Sequence, residues 1–488
     1  MAEPTALNDS QIDGIIQRVM HELNDTNPAP IHRPARASAS IQVNPGAGDG
    51  IFHDPDSAVQ AAQLAWEQLS DLPLEIRRKA VDNMRATARE HALTLAQFAR
   101  EETDMGRTED KLQKNLLVAN KTPGPEFLTS QANTGDDGLM LTEYAPYGVI
   151  ASITPTTNPT STIINNSISM VSAGNAVVFN AHPNATKCSL YTIQLLNQAI
   201  QQAGGPPNLL TGISQPTIES AQALMTHKKV RLLVVTGGIG VVRQAMQSGK
   251  RAVCAGPGNP PVVVDETADL EQAGRDVVRG GSFDNNLVCT TEKTCIVVES
   301  AMNGLIDSMT RHGGVLISSW QLRRLMKSIF AEDRGPGKPG VMNKEFIGQN
   351  ASVLLKEIGI NVGPEVRQIA AVVEPDHQLV WSEQMMPIMP VVPMPDVYSA
   401  IDLAVESEHG FRHTAVMHSK HIDHMTHMAR AMDCSIFVKN GSCLAGLGFG
   451  GEGYTSFTIA SPTGEGLTTC RSFSRIRRCT LKDGFRIV

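Results

Sequence analysis

The chain has 488 residues and a formal net charge of −7, with a composition ordinary for a globular protein. This length exceeds what one hydrophobic core usually organises, so two or more domains are expected. No basic patch points to nucleic acid, and apolar runs of about six to eight residues are too short to span a membrane, which excludes both classes of partner. The eight cysteines include no Cys-x-x-Cys pair and no secretory signal opens the chain, so a soluble protein in a reduced cytoplasmic compartment is expected.

Residues 1–24 are predicted to form a short amphipathic helix. Capping oxygens at residues 8–10 precede apolar side chains at helical spacing, namely Ile12, Ile15, Ile16, Val19, Met20 and Leu23. Residues 25–50 are rich in Pro, Ala, Gly and Ser, which indicates a flexible linker. A helix held away from the body in this way suggests docking on another protein. A helix that frays, or folds back on its own subunit, is the alternative.

The next part of the chain alternates between helices and strands. Residues 57–121 have a helical pattern with Pro73 and Gly106 as punctuation, and residues 140–144 alternate as a strand would. Strands are then predicted at 148–153, 176–179, 232–235 and 261–264, and helices at 189–202, 217–225 and 241–247. This order indicates an α/β fold with a doubly wound parallel sheet, a fold that binds nucleotides at the carboxyl ends of its strands.

One strand end in this series, residues 235–240, carries three glycines and leads into a helix. Glycine at this point lets a phosphate approach backbone N–H groups at the helix N-terminus, where the helix dipole favours an anion. The spacing is not Gly-x-Gly-x-x-Gly, so a plain strand-to-helix turn is the alternative.

A second strand-helix series begins near residue 285 and predicts a separate domain, with strands at 294–298, 314–319, 368–373 and 435–438. Near the C-terminus, residues 471–479 alternate like an edge strand. This strand is predicted to pair with another element, and residues 140–144 of a neighbouring subunit are the candidate.

Six histidines lie close together in the sequence and raise the question of a metal site: His409, His413, His418, His421, His424 and His427. The last three are three residues apart, so on a helix they spread over about 120° instead of facing one ion. No carboxylate or cysteine completes an obvious ligand set. A solvated helix face is therefore the favoured interpretation, and no metal is predicted.

Cys289 follows an Asp-Asn-Asn loop and precedes the β-branched run at 294–298. Its thiol is therefore predicted at a loop-to-strand junction, a place where a nucleophile is exposed. The alternative is a half-buried structural cysteine, because free cysteine is among the most buried residue types.

These features follow one another in a specific order: residues 153–159, 236–240, 256–260, the Cys289 loop and 383–387. This order resembles the aldehyde dehydrogenase superfamily. Residues 283–289, 451–454 and 458–466 look more closely like the CoA-acylating members of bacterial microcompartments, the propionaldehyde and acetaldehyde enzymes. The resemblance covers about residues 50–488, and the N-terminal helix with its linker is similar to the encapsulation peptides of that group.

The resemblance implies a set of roles. Cys289 would be the nucleophile, and Asn158 with the Cys289 backbone N–H would stabilise the oxyanion. The residues implied for binding NAD are Thr154, Pro155, Thr236, Gly237, Gly238, Gly256 and Glu383. A turn or capping role for Asn158 and a surface carboxylate for Glu383 are the alternatives.

Two departures from the hydrolytic members bear on the reaction. Those members carry a glutamate that acts as base on water, and Cys254 stands in its place two residues before Gly256. A thiol does not readily deprotonate water at neutral pH, so CoA is expected to take the acyl group. Cys254 itself is also read as an ordinary strand cysteine without a role. Asn180 replaces a lysine that usually touches the adenosine ribose, which leaves the choice between NAD and NADP open.

The resemblance also implies the domain limits: an NAD-binding domain at 51–134 and 148–268, a catalytic domain at 269–453, and an oligomerisation β-flap at 135–147 and 465–488. The implied function is NAD-dependent, CoA-acylating oxidation of propanal or acetaldehyde inside a bacterial microcompartment. The protein is expected to be a dimer or tetramer whose N-terminal helix binds a shell protein. The alternatives are a hydrolytic aldehyde dehydrogenase and a catalytically idle shell-binding scaffold.

Overall fold

The computed structural model describes residues 49–487. The helix predicted at 1–24 lies outside the described residues, and so does the linker at 25–50 apart from its last two residues. None of the helices in the described range is long and apolar enough to cross a membrane.

Four helices open the described chain, which confirms the helical pattern of residues 57–121. After strand β1 (Ile51–Phe52) come α1 (Pro55–Asp71), α2 (Leu74–Glu90), α3 (Ala92–Thr103) and α4 (Thr108–Lys121). Asp54 caps α1 by accepting a hydrogen bond from Ser57 N, and Pro55 stands at the first helical position. Gly106 has a φ of +76°, a conformation that suits glycine, and it turns the chain from α3 into α4.

The first sheet has six parallel strands in the order β1-β6-β5-β4-β7-β8. Its further strands are β4 (Val149–Ile153), β5 (Ala176–Asn180), β6 (Leu210–Ile213), β7 (Val230–Thr236) and β8 (Ala252–Ala255). The helices that follow β4 to β7 are α5 (Pro159–Ser172), α6 (Thr186–Gln202), α7 (Ile218–Thr226) and α8 (Ile239–Gln247). The strands and helices predicted between residues 148 and 247 are confirmed, whereas β6 and β8 were not predicted.

The order of the strands creates a switch point between β4 and β7. From β4 the chain runs outward through β5 and β6, then crosses back and adds β7 on the other side of β4. The loops after β4 and β7 therefore leave the sheet in opposite directions, which opens a crevice at the carboxyl ends of these strands.

The second sheet has seven parallel strands in the order β11-β14-β15-β10-β9-β16-β17. They are β9 (Pro261–Val264), β10 (Thr294–Val298), β11 (Gly314–Leu316), β14 (Gln368–Val372), β15 (Ile388–Met394), β16 (Thr414–His418) and β17 (Ile436–Lys439). Its helices are α9 (Leu270–Ser282), α10 (Glu299–Arg311), α11 (Ser319–Ile329), α12 (Ala351–Lys356), α13 (Val397–Ser407) and α14 (Ile422–Met432). Small pairs β12 (Phe330–Glu332) with β13 (Val341–Met342), and β18 (Ile459–Ala460) with β19 (Gly466–Leu467), complete this part.

The sheet membership of β9 differs from the expectation that residues 148–268 form one domain. β9 pairs with β10 on one side and with β16 on the other, so it belongs to the second sheet. All four of its residues are buried. A short buried apolar run fits the interior of either parallel sheet, and its pattern does not say which neighbours it takes.

A three-stranded antiparallel flap projects from the sheets, with β3 (Gly138–Pro146) between β2 (Gln131–Gly135) and β20 (Ser474–Lys482). The predicted strands at 140–144 and 471–479 are thus present. They pair within one chain, through nine residue pairs from Ser474↔Pro146 to Lys482↔Gly138. The expectation that 471–479 pairs with residues 140–144 of a neighbouring subunit is wrong, because the chain's own β3 already occupies that edge.

Candidate active site

The switch point of the first sheet is lined by hydroxyls that lack partners. Thr154 directly follows β4, and Thr236 is the last residue of β7. Buried oxygens Oγ1 of Thr154, Thr156 and Thr236 have no hydrogen-bond partner among the described residues. Buried polar atoms are normally paired, so these hydroxyls mark a place where a polar ligand fits. Pro155 lies beside them and is partly exposed.

The glycine turn after β7 forms the start of α8. Gly238 is the N-cap residue of α8, and no side chain caps this helix end. A Cβ added at Gly238 would meet open space, whereas Gly237 donates its backbone N–H to Ala255 O at 3.1 Å. The free N–H groups at the start of α8 therefore face an open approach that suits a phosphate. The predicted strand, turn and helix are all present here.

Gly256 is set differently from the other glycines predicted to bind cofactor. A Cβ added there would lie 3.0 Å from Cγ of Pro462, so the backbone packs closely on the segment before β19. The nearby Cys254 is buried and its backbone N–H donates to Thr463 Oγ1 at 3.0 Å. Burial, and next the charge of Glu465, raise the pKa of the Cys254 thiol to about 11. Cys254 is therefore a protonated thiol at neutral pH.

The loop that carries Cys289 has an unusual backbone. Asp284, Asn285 and Asn286 have φ values of 47°, 55° and 66°, three left-handed residues in succession. Asn285 Nδ2 donates to Gly348 O at 2.8 Å, and Asn286 Nδ2 donates to Gly281 O at 2.8 Å and to the Glu292 carbonyl at 2.9 Å. A left-handed backbone persists where the surrounding structure stabilises it, and these hydrogen bonds provide part of that stabilisation.

Cys289 lies between this turn and β10, which confirms the predicted loop-to-strand junction. Its side chain is only partly exposed. Burial, and next the charge of Glu383, raise the pKa of the thiol to about 12, against the opposing charge of Lys293. In the free protein Cys289 is consequently a thiol at neutral pH.

Lys293 anchors the Cys289 loop, a role that the sequence did not reveal. It is fully buried, and its Nζ donates to Asn286 O and Asn286 Oδ1, both at 2.6 Å, and to Thr291 Oγ1 at 3.0 Å. Burial lowers the pKa of Lys293 to about 8. The only signal for this role in the sequence is a lysine four residues after the candidate nucleophile.

A basic face, formed by α4 and its N-cap residue Arg107, also holds this loop. Arg107 donates its backbone N–H to Asp284 Oδ1 at 2.8 Å, and its Nε donates to Asn285 Oδ1 at 2.9 Å. Lys111 Nζ donates to Asp284 Oδ2 at 3.1 Å, and Lys114 donates to the same oxygen. Both lysines are only 2% exposed. The basic residues recur four and then three residues apart, which places them on one helix face, yet the pattern predicted only a scaffold helix.

Asn158 sits at the start of α5 and contacts this basic face. Its Oδ1 accepts from Lys114 Nζ at 2.7 Å, and its Nδ2 donates to Thr157 Oγ1 at 3.1 Å. The side chain makes no capping hydrogen bond to α5, although Asn158 is the N-cap residue by position. The alternative of a capping side chain is therefore wrong.

Gly258 lies between the Cys289 loop and Glu383, the last of the predicted site residues. Its backbone N–H donates to Glu383 Oε1 at 3.4 Å, and an added Cβ would lie 2.7 Å from Cys289 O and 3.1 Å from His413 Cγ. Glu383 is partly buried, and burial raises its pKa against the charge of Lys293. Glu383 thus lies beside the nucleophile loop and accepts from Gly258, so it is not a fully exposed surface carboxylate. Gly258 was not predicted as a site residue.

The histidines divide into buried and exposed groups. His413 is fully buried next to Gly258, with its Nε2 unpartnered among the described residues and its pKa lowered to about 4, chiefly by burial. On α14 and its cap, His421 and His427 are exposed, as a solvated face requires, but His424 is buried and bonds Asp265 Oδ2 through Nδ1 at 2.8 Å. Within residues 49–487 no cluster of three His, Cys, Asp or Glu side chains is arranged to hold a metal.

Asn180, at the end of β5, is tied to the first sheet. Its Oδ1 accepts from Ser220 Oγ at 2.6 Å, and Ser220 is part of the capping box of α7. The backbone carbonyl of Asn180 accepts from Thr154 N at 3.1 Å. Asn180 thus helps to hold the strand ends at the crevice.

Comparison with known proteins finds relatives that match nearly the whole chain. The aldehyde dehydrogenase family model matches residues 27–314. An acetaldehyde dehydrogenase (acetylating) from Salmonella typhimurium is 45% identical over 483 residues, which cover 99% of this chain and 100% of that protein. A structure of Rhodopseudomonas palustris propionaldehyde dehydrogenase with bound CoA and an acylated cysteine has a TM-score of 0.86 at 45% identity, covering 89% of this chain and 98% of that chain. A propionaldehyde dehydrogenase from the fucose utilisation bacterial microcompartment of Clostridium phytofermentans has a TM-score of 0.87 at 43% identity, with coverage of 90% and 100%.

Proposed function

The chain belongs to the aldehyde dehydrogenase family, and on this premise we propose that it oxidises a short aliphatic aldehyde, propanal or acetaldehyde, to its acyl-CoA with NAD. The resemblance and the α/β fold expected from the sequence are confirmed by the comparisons. The observation that carries the proposal is that Cys289 stands on a held loop with a partly exposed thiol, while Cys254, where hydrolytic relatives place a base, is a buried and protonated thiol.

The first step forms a covalent bond on Cys289. After the thiol proton leaves to solvent, the Cys289 thiolate adds to the aldehyde carbonyl carbon, and the carbonyl oxygen becomes the oxyanion of a thiohemiacetal. Asn158 Nδ2 and the Cys289 backbone N–H are the donors proposed for this oxyanion. Collapse of the thiohemiacetal expels a hydride from the former carbonyl carbon and leaves a thioester on Cys289.

The residues around the switch point fit a dinucleotide. NAD, when bound, supplies the acceptor for the hydride. The unpartnered hydroxyls of Thr154 and Thr236 and the open approach at Gly238 offer donors to its polar groups. Gly237, whose N–H bonds Ala255 O, is proposed to hold the turn that presents them. Pro155 and Gly256 are proposed as packing surfaces beside them, and Glu383 as the carboxylate for a ribose hydroxyl.

The second half of the reaction transfers the acyl group to CoA. Because burial and Glu465 keep the Cys254 thiol protonated, Cys254 cannot take a proton from water. The thioester on Cys289 therefore persists until the CoA thiolate attacks its carbonyl carbon. This attack forms acyl-CoA and releases the Cys289 thiolate.

The products formed with and without CoA test this assignment. With aldehyde, NAD and CoA we expect steady formation of acyl-CoA and NADH in equal amounts. Without CoA, NADH should stop at about one equivalent per site, because the acyl group stays on Cys289. Cys254→Ala is the matched control, and it should keep this dependence on CoA. Steady release of free acid without CoA would instead establish the hydrolytic alternative.

The two sheets are proposed to belong to two domains with different functions. The first sheet with helices α1 to α8 would form the NAD-binding domain, expected at 51–134 and 148–268, with β9 reassigned to the catalytic domain that follows at 269–453. The flap at 135–147 and 465–488 is proposed to join subunits in a dimer or tetramer. Apolar Ile476 and Leu481 on β20 support this, since they are 72% and 49% exposed in the single chain.

Residues 1–24 are proposed to bind a shell protein and place the enzyme inside a bacterial microcompartment. The amphipathic pattern of this segment, its linker, and the microcompartment relative support the proposal. Removing residues 1–24 should leave kcat unchanged, because the site lies wholly within residues 107–465. Co-purification with shell should be lost. Unchanged co-purification of the truncated enzyme would refute the targeting role.

A further inference from the structure

Lys114 makes contacts that the proposed mechanism has not used. We propose that Lys114 is a positioning residue, which holds the Asn158 amide so that Nδ2 faces the oxyanion on the substrate carbon. This inference rests on the proposed function, since it presupposes that Asn158 is an oxyanion donor.

The hydrogen bonds of Lys114 determine which way the amide points. A lysine ammonium has three donors and no acceptor, so it bonds only the oxygen of an asparagine amide. Lys114 Nζ donates to Asn158 Oδ1 at 2.7 Å, to the Thr157 carbonyl at 3.4 Å and to Asp284 Oδ2. Three acceptors thus take the three protons. A flipped amide would set its NH₂ group against the ammonium, so Nδ2 is held on the opposite side.

The hydroxyl of Thr157 favours the same orientation of the Asn158 amide. Its Oγ1 accepts from Asn158 Nδ2 at 3.1 Å, which leaves the second N–H of that nitrogen for a further acceptor. An oxyanion donor is effective when it is already oriented before the charge develops, because no energy is then spent on reorientation.

Lys114 also connects Asn158 to the loop of the nucleophile. Asp284 begins the left-handed turn before Cys289 and is fully buried. Burial would raise the pKa of Asp284, but Lys111 and then Lys114 lower it below the ordinary value. Asp284 therefore stays ionised and keeps Lys114 in place. One buried ammonium thus ties the oxyanion donor and the nucleophile loop to each other.

A second lysine on the same helix face provides a matched control. Lys111 is buried to the same degree as Lys114, and it also donates to Asp284 Oδ2. No hydrogen bond joins Lys111 to Asn158 among the described residues. Lys111→Met thus removes a comparable buried charge and leaves the Asn158 amide held.

The test is a double-mutant cycle on the full chain with aldehyde, NAD and CoA. Lys114→Met should lower kcat roughly tenfold or more with little change in the aldehyde KM, because a misdirected donor affects the transition state and not substrate binding. In an Asn158→Ala background it should lower kcat no more than Lys111→Met does, since there is no amide left to orient and only a contact with Asp284 is lost. Lys111→Met should lower kcat much less than Lys114→Met does, and its effect on kcat should add to that of Asn158→Ala.

Each outcome has a separate meaning. Equal losses in Lys111→Met and Lys114→Met, or additive losses of Lys114→Met and Asn158→Ala, would overturn the positioning role. Full activity in Asn158→Ala would instead overturn its place in the proposed function. If Lys114→Met does not fold, Lys114→Met/Asp284→Asn is compared with Asp284→Asn alone, because this pair removes the unpaired buried carboxylate. The same kcat loss, again absent without Asn158, is expected.

Discussion

Cys289→Ala is expected to abolish NADH formation from aldehyde and CoA, a loss of roughly 10⁴-fold or more, as is usual when a covalent nucleophile is removed. The reason is that no other described cysteine can replace it. Five are buried, at 188, 254, 295, 443 and 470, and the other two, Cys434 and Cys479, lie outside the site residues. Measurement of NADH by absorbance decides the matter. Cys434→Ala, which removes a partly exposed thiol elsewhere, is the control and should keep full activity.

The reactivity of the Cys289 thiol gives an independent check. In a Cys434→Ala/Cys479→Ala background, iodoacetamide should label one site per chain, and aldehyde should protect it. The raised pKa of about 12 means that the thiolate is a small fraction at neutral pH and grows as pH rises. The labelling rate should therefore increase about tenfold per pH unit from pH 7 to 10. A plateau near pH 8 would contradict the raised pKa, and absence of labelling or protection would favour the idle scaffold.

Asn158→Ala is expected to lower kcat by about 10²–10³-fold, the usual cost of one oxyanion donor. The aldehyde KM should change little, because the donor acts on charge that develops only in the transition state. Steady-state kinetics with propanal and acetaldehyde measure both parameters.

The control for this loss is Asn180→Ala. Asn180 is also a buried asparagine at a strand end of the first sheet, but it bonds Ser220 and not the basic face of α4. Asn180→Ala should lower kcat far less than Asn158→Ala does. A loss in Asn158→Ala that appears only as a higher KM would show that Asn158 binds the ground state, and the oxyanion role would fail.

Much of the fold follows from local patterns. Strands such as β4, β5 and β10 are short buried runs rich in Val and Ile, and their own residues are enough to predict them. The loop-to-strand position of Cys289 is equally local, since the Asp-Asn-Asn turn and the β-branched strand flank it directly. The partner of a strand is not local. For that reason β9 was expected in the wrong sheet, and β20 was expected to pair with another subunit.

The sequence by itself indicated the reaction through its resemblance to a family, in which Cys289 and Asn158 match the proposed nucleophile and oxyanion donor and Cys254 replaces a glutamate. Only the tertiary structure decided how these residues are held. Lys114 contacts Asn158 across 44 positions and Asp284 across 170, and no periodicity reports contacts of that length. Burial also came from the tertiary structure alone. A lysine on an amphipathic helix usually faces water, and here packing against the Cys289 loop turns two of them into internal donors.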